Sequence, residues 1–205
     1  IGDHWKKALA APLPPVEIQD APCHEVILTG SDIDGEGKGL DALPVPISTP
    51  GFDVAPYLTA TSCISRDPDT GVQNMGTYRG GIKAPDRIGL KMFVNLRQGG
   101  HAHWDKYKSR GEKMPMAIMV GCPPALAYVS PQKIREGIDE IAVAGALVGA
   151  PIRVVKAKTV DLMVPADAEI IIEGLVDTEM LEPEAPFGES HGHINLEEYN
   201  FIFEV

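Results

Sequence analysis

The chain has 205 residues, 44% hydrophobic and 23% charged, which is enough apolar material for one domain core and too ordinary a charge content for wholesale disorder. With 18 Lys and Arg against 29 Asp and Glu, the formal net charge is -11, and so acidic a surface repels phosphate backbones and argues against a nucleic-acid partner. Cys23, Cys63 and Cys122 form no Cys-x-x-Cys pair, which argues against a disulfide framework or a zinc–thiolate centre and points to reduced thiols in a cytoplasmic protein.

The chain opens at Ile1 without an initiator Met and is expected to be a processed or excised piece of a longer protein. Trp5 to Ala11 predicts one or two helical turns, ended by Pro12, Pro14 and Pro15. Glu25 to Thr29 predicts a short strand, Gly30 to Leu43 a polar loop, and Pro44-Val-Pro46 with Thr49-Pro50 an extended backbone. Residues 1–56 therefore read as an extended N-terminal arm or linker, and 57–205 as the folded domain.

Strand signals dominate from Tyr57 onward. Leu58 to Ile64 and Val72 to Arg79 flank the turn sequence Asp67-Pro-Asp-Thr-Gly71. Leu90 to Leu96 predicts a further strand, and His101 to Arg110 a helix stopped by Gly111. Met114 to Gln132 is the longest uncharged run, but Pro115, Pro123, Pro124 and Pro131 exclude a membrane-spanning helix. Within it, Met116 to Val120 reads as a strand broken by Gly121 to Pro124. Ile134 to Val148 predicts a helix. Ile152 to Ala157, Thr159 to Val164 and Glu169 to Leu175 predict three strands in a meander, and Phe201 to Val205 a last strand. The sum is an α+β, mainly β, mostly antiparallel domain with a few helices, for which a barrel-like sheet fits best.

Four constellations carry chemistry. In Asn74-Met-Gly-Thr-Tyr-Arg-Gly-Gly81, Asn74 offers an amide oxygen, Arg79 a fork of donors for a carboxylate or phosphate, and the glycines close approach to a ligand. The same stretch also reads as a plain hairpin with a surface Asn and Arg. In Glu182-Pro-Glu-Ala-Pro-Phe-Gly-Glu189, a bend can turn Glu184 and Glu189 toward one site, where one carboxyl carries a proton; the alternative is an acidic surface loop, in which Phe187 would be out of place. Asp139-Glu140 opens an apolar helix as a cap or as a buried ligand, and Asn with Glu oxygens suits Mg²⁺ or Mn²⁺. His101 and His103, after Gly99-Gly100, point to different sides of a helix whose N-terminus can receive an anion. His191 and His193 line the same cleft or lie exposed. No P-loop, dinucleotide fingerprint or Gly-x-Ser-x-Gly elbow is present.

The order and spacing of these stretches resemble the UbiD family of reversible decarboxylases. The resemblance rests on Asn74-x-Gly-x-Tyr-Arg79, Gly111-Glu-Lys-Met-Pro115, Gly137-x-Asp-Glu140 with Ala144-Gly145, Thr159-Val-Asp-Leu-x-Val-Pro-Ala-x-Ala-Glu169, and Glu184-x-Pro-Phe-Gly-Glu189. It implies a split β-barrel resembling flavin-binding split barrels. It also implies prenylated FMN and a divalent metal, Mn²⁺ or Mg²⁺, with K⁺ as a further ion.

Residue by residue, the resemblance assigns the metal to Asn74 and Glu140, and the cofactor to Asn74, Thr77, Tyr78, Arg79, Lys91, Met92, Phe93, Gln98 and Gly99. Arg79, Glu184 and Glu189 become the catalytic network, Arg79 holding the substrate carboxylate and Glu189 giving or relaying the proton. Many members carry Gln-His where this chain has Gln98-Gly99, so His101 stands in as third metal ligand. The implied activity is the non-oxidative, reversible decarboxylation of an aromatic or α,β-unsaturated acid. The implied partners are that small acid, a flavin prenyltransferase as cofactor supplier, and further copies of the full-length chain in a homo-oligomer. The alternative is an isolated flavin- and metal-binding module without turnover.

Overall fold

In a computed structural model, residues 2–93, 98–184, 186–196 and 198–205 are described. Helix α1 (Gly2–Ala10) ends before the prolines, and β1 (Val16–Glu17) follows. The expected strand at 25–29 does not form: single 3-10 turns occupy Pro22–His24 and Gly30–Asp32, and Val26, Ile27 and Leu28 are 72%, 48% and 58% exposed with no ladder partner. A third such turn, Leu40–Ala42, lies within the expected loop.

Next come β2 (Tyr57–Leu58), β3 (Thr61–Arg66) and β4 (Gln73–Gly76). The β3–β4 hairpin turns where expected, with Gly71 at φ 76°, a left-handed conformation that a side chain resists. Then follow β5 (Gly80–Ala84) and β6 (Arg87–Leu90), a hairpin hidden in the sequence by its glycines. Those glycines allow close packing: a Cβ on Gly80 would stand 2.8 Å from Ile88 Cγ2, and one on Gly81 3.0 Å from the Tyr57 ring. The strand expected at 90–96 is therefore displaced N-terminally; Lys91, Met92 and Phe93 continue as coil, and 94–96 lie outside the described residues.

Helix α2 (Gly99–Arg110) stops at Gly111, whose φ of 68° cannot continue a helix. Strand β7 (Met114–Val120) reads as an unbroken apolar run because both its faces are buried. Pro124 then opens a short helix, α3 (Pro124–Val129). The helix expected from Ile134 starts only at α4 (Glu140–Val148), because Gly137 takes φ 85° and Asp139 caps the helix by accepting from Ile141 N–H at 2.8 Å. Strands β8 (Arg153–Lys156), β9 (Met163–Pro165), β10 (Ile170–Glu184), β11 (Phe187–Gly188), β12 (Ile194–Asn195) and β13 (Glu198–Glu204) complete the chain. No helix among the described residues is long and apolar enough to cross a membrane.

Eight strands form one curled antiparallel sheet, a split barrel, in the order β2-β5-β6-β13-β10-β7-β3-β4. Its inner core joins Cys63, Met116, Ile118, Val176, Phe201 and Phe203. A second core lies on the other face, where Ile64, Met75, Ala117 and Met119 meet α3, α4 and the small sheet β1-β8-β9. The expected three-strand meander thus divides: β8 pairs β9, while β10 joins the barrel, because Ile172 and Val176 belong to its core.

Strand β10 pairs with β7 over residues 170–176 and with β13 at 175–176 and again at 181–184, the β13 pairing being interrupted by an irregularity between Val176 and Leu181. Asp177 holds the irregular stretch, accepting from Glu179 N–H at 2.7 Å and Met180 N–H at 2.8 Å, while its carbonyl takes the Trp104 indole N–H at 2.8 Å.

The β3–β4 turn also predicts acid behaviour. Burial alone would raise the Asp67 carboxyl, but Lys106 Nζ at 2.7 Å and Asp69 N–H at 2.9 Å outweigh it and bring it to about 2, below its ordinary 3.8. A depressed carboxylate stabilises the fold above the unfolded pKa, and that stability is lost as pH falls through the folded one. After allowing for solvent screening, about 1–2 kcal/mol is expected to disappear between roughly pH 4 and pH 2. Urea unfolding at stepped pH checks this, and Asp67→Asn is expected to remove that part of the slope.

Candidate active site

Arg79 sits in the connection between β4 and β5, and its guanidinium is forked between two carboxylates. Nε and Nη2 donate to Glu184 Oε1 and Oε2 at 2.8 and 2.9 Å, and Nη1 donates to Glu189 Oε1 at 2.5 Å. Side-chain exposure is 9% for Arg79, 0% for Glu184 and 25% for Glu189, so the first pair is locked inside and the second faces outward. Burial would lower the guanidinium pKa, but the two carboxylates outweigh it and raise it further. The Phe187 ring lies 4.4 Å from Arg79 Cζ and packs on Tyr57, which accounts for an aromatic residue in an acidic stretch. Burial first, and the Glu184 charge second, push the Tyr57 phenol up to about 12.

Each carboxylate rides on a different support. Glu184 ends the long strand β10, opposite Glu198 of β13. Glu189 follows β11 and opens the turn of the small β11–β12 ribbon, which closes through Glu189 N–H to His193 O at 2.8 Å. Asn195 Nδ2 donates to Glu189 Oε1 at 3.0 Å, and Asp53 accepts from Gly188 N–H at 2.9 Å. Neither Asp53 nor Asn195 was singled out from sequence, since each lies far along the chain from Arg79. Lys91 is buried, contacts Glu198, and lies 3.9 Å from Glu184 Oε2; Glu198 too was missed. His191 and His193 are exposed.

The other sequence-derived residues gather at the N-terminus of α2. Tyr78 oxygen accepts from Gly100 N–H at 3.0 Å, Gln98 Oε1 accepts from Phe93 N–H at 2.7 Å, and Lys91 N–H donates to Arg79 O at 3.0 Å. Burial raises the Tyr78 phenol to about 12. A Cβ on Gly100 would stand 3.1 Å from Met92 Sδ, which brings that residue to the same helix end. Thr77 turns to a different neighbour, its hydroxyl donating to Ser130 at 2.9 Å.

Asn74 and Glu140 line one cavity of about 370 Å³, bordered also by Gly99, His101 and His103. Asn74 Nδ2 is buried without a partner among the described residues. Glu140 Oε2 accepts from Met75 N–H at 2.9 Å, and burial pushes its carboxyl up to about 7. His101 borders the cavity with its ring stacked on Trp104 and its Nδ1 3.4 Å from Asp105 Oδ2. Among the described residues no group of three or more His, Cys, Asp or Glu could hold a metal.

The sequence model of the UbiD family, described as 3-octaprenyl-4-hydroxybenzoate carboxy-lyase Rift-related domain, matches residues 15–205. The fold matches HmfF from Pelotomaculum thermopropionicum, a UbiD-class enzyme in complex with FMN, at 33% identity and TM-score 0.91, over 99% of this chain and 44% of that one. An evolved dimeric form of HmfF in complex with prFMN matches at 31% identity and TM-score 0.85, over 99% and 46%. Vanillic acid decarboxylase of Sedimentibacter hydroxybenzoicus, in closed form, matches at 26% identity and TM-score 0.87, over 100% and 44%. The chain belongs to the UbiD family, and it spans less than half the length of these solved relatives.

Proposed function

We propose that this chain carries the cofactor site and proton-transfer network of a reversible, non-oxidative decarboxylase of aromatic or α,β-unsaturated carboxylic acids. The observation that carries the reading is the buried Arg79 fork, with one carboxylate sealed in and the other open. A guanidinium held this way can receive a substrate carboxylate in the orientation that a second carboxyl group, once protonated, needs to deliver a proton.

Two features of the chain fit the groups such a reaction requires. The Asn74 amide, whose Nδ2 is buried without a hydrogen-bond partner among the described residues, and the buried Glu140 carboxyl would offer hard oxygen donors to Mn²⁺ or Mg²⁺. The N-terminal turn of α2 has backbone N–H groups without intrahelical acceptors and suits a phosphate. Thr77, Tyr78, Arg79, Lys91, Met92, Phe93, Gln98 and Gly99 would surround prenylated FMN, and the Asn74 and Glu140 oxygens would hold the cation in the cavity that His101 and His103 also border. The flavin supplies an electron sink for the carbanion left when CO₂ departs.

The remaining work falls to side chains. Glu184, bound at both oxygens and fully buried, fixes the plane of the Arg79 guanidinium. Arg79 orients the acid. Glu189, partly exposed, would take up a proton and deliver it to the substrate carbon after CO₂ leaves. In this reading a flavin prenyltransferase supplies the cofactor, and the protein works as a homo-oligomer in the cytoplasm.

The test loads the protein with prenylated FMN and Mn²⁺ and follows labelled CO₂ from a panel of aromatic and α,β-unsaturated acids, together with exchange of labelled bicarbonate into them. Neither release nor exchange from any member of the panel would sink the reading. A second measurement isolates the cation: a Cβ on Gly99 would stand 1.8 Å from Asn74 Oδ1. Gly99→Ala is therefore expected to displace that amide and weaken Mn²⁺ binding by about tenfold or more, measured by titration with Mn²⁺ alone.

A further inference from the structure

Ser65 of β3 stands directly opposite Asn74 of β4 in the antiparallel ladder, so their side chains leave the same face of the sheet. Helix α2 lies against that hairpin. The fully buried Ser65 hydroxyl is 2.9 Å from His103 Nδ1, which ties the imidazole to the strand position beside Asn74. His103 lies four residues after Gly99 on α2, and residues so spaced share one helix face. Helical side chains also lean toward the N-terminus, here toward the space beside Gly99 that the Asn74 amide fills. His103, Asn74 and Glu140 border one cavity. His101 is two residues from Gly99, about 200° around the helix. Its ring packs on Trp104 and Phe201, and its Nδ1 faces Asp105.

We propose that His103, through Nε2, is the nitrogen ligand that completes a divalent-cation site with the Asn74 and Glu140 oxygens, and that Ser65 is the positioning residue that aims it. The inference deepens the metal assignment made under Proposed function and rests on it. With Nδ1–H donating to Ser65 Oγ, the tautomer is fixed and the Nε2 lone pair is free; Nε2 has no hydrogen-bond partner among the described residues. A metal-bound histidine is ordinarily held in this manner, one ring nitrogen on the ion and the other donating to a neighbouring acceptor. The chain thereby recovers, one helical turn later, a nitrogen that glycine at position 99 does not provide.

The test uses Mn²⁺ alone, titrated into the purified protein. Free ion is followed by electron paramagnetic resonance, and ligation by the spin-echo modulation that an imidazole ¹⁴N imposes on bound Mn²⁺. Wild type is expected to bind Mn²⁺ and show the modulation. His103→Gln is expected to lose it and to weaken binding by more than tenfold, while His101→Gln retains both. Ser65→Ala is expected to weaken binding by about tenfold with the modulation kept. Should His103→Gln fail to fold, the Ser65 and His101 variants decide. Modulation that survives in His103→Gln, or vanishes in His101→Gln, overturns the proposal and leaves the metal assignment standing. Wild type that binds no Mn²⁺ overturns both.

Discussion

Arg79→Met is expected to cost about 3–5 kcal/mol of folding stability, the largest effect of any single substitution at the site. Glu184 has 0% side-chain exposure and takes two hydrogen bonds from Arg79. Removing the guanidinium leaves a buried carboxylate with Lys91, 3.9 Å away, as its remaining cation. Methionine keeps most of the volume and packing against Phe187, so the loss reports charge and not a cavity. For a chain of this size the melting temperature is expected to fall by roughly 10 °C. Urea unfolding measures the cost, and Arg79→Met combined with Glu184→Gln is expected to recover much of it, since the orphaned charge is then gone. If Arg79→Met alone unfolds within about 1 kcal/mol of wild type, the fork is not a buried ion pair in solution.

Glu189→Gln is expected to lower turnover by about 10²–10⁴-fold while stability and binding of FMN and Mn²⁺ stay near wild type. The amide oxygen can still accept from Arg79 Nη1 and Asn195 Nδ2, the two partners of Glu189 Oε1, so the cluster keeps its shape. What the amide cannot do is carry and return an acidic proton. Because Glu189 is 25% exposed and Glu184 is sealed, the same exchange at Glu184 is expected to disturb stability as well as rate. Full turnover in Glu189→Gln would remove it from the proton-transfer role.

The barrel was legible where period and punctuation agree. The strand around Met116 to Val120, the turn ending in Gly71 and the helix stopped by Gly111 follow from local rules about apolar runs and left-handed glycines. The β5–β6 hairpin was not legible, because Gly80 and Gly81 are there to admit Ile88 and the Tyr57 ring, and a contact across strands leaves no local period. Val26 to Leu28 misled in the opposite direction: β-branched residues suggest a strand, but a strand needs a neighbour. Sequence brought Arg79, Glu184 and Glu189 forward by motif, whereas Asp53, Asn195 and Glu198 reach the cluster only through folding. Ser65 is of the same kind, since nothing within five residues of it hints at an imidazole 38 positions away.

The β11–β12 ribbon has mechanical meaning. It is two residues long on each arm, pairs with no strand of the barrel among the described residues, and is fastened by Gly188 to Asp53, Phe187 to Tyr57 and the Glu189 carboxylate to Arg79. Glu184 ends a strand of the barrel and Arg79 lies in the connection between two others, whereas Glu189 lies in the turn of the ribbon. Under the roles proposed above, an acid that must leave one partner, reach a carbon and come back would ride on the ribbon, while the groups that aim the substrate would stand on or beside the barrel. On that reading stroke and aim would be divided between two bodies, and the donor could travel without loosening the grip on the substrate.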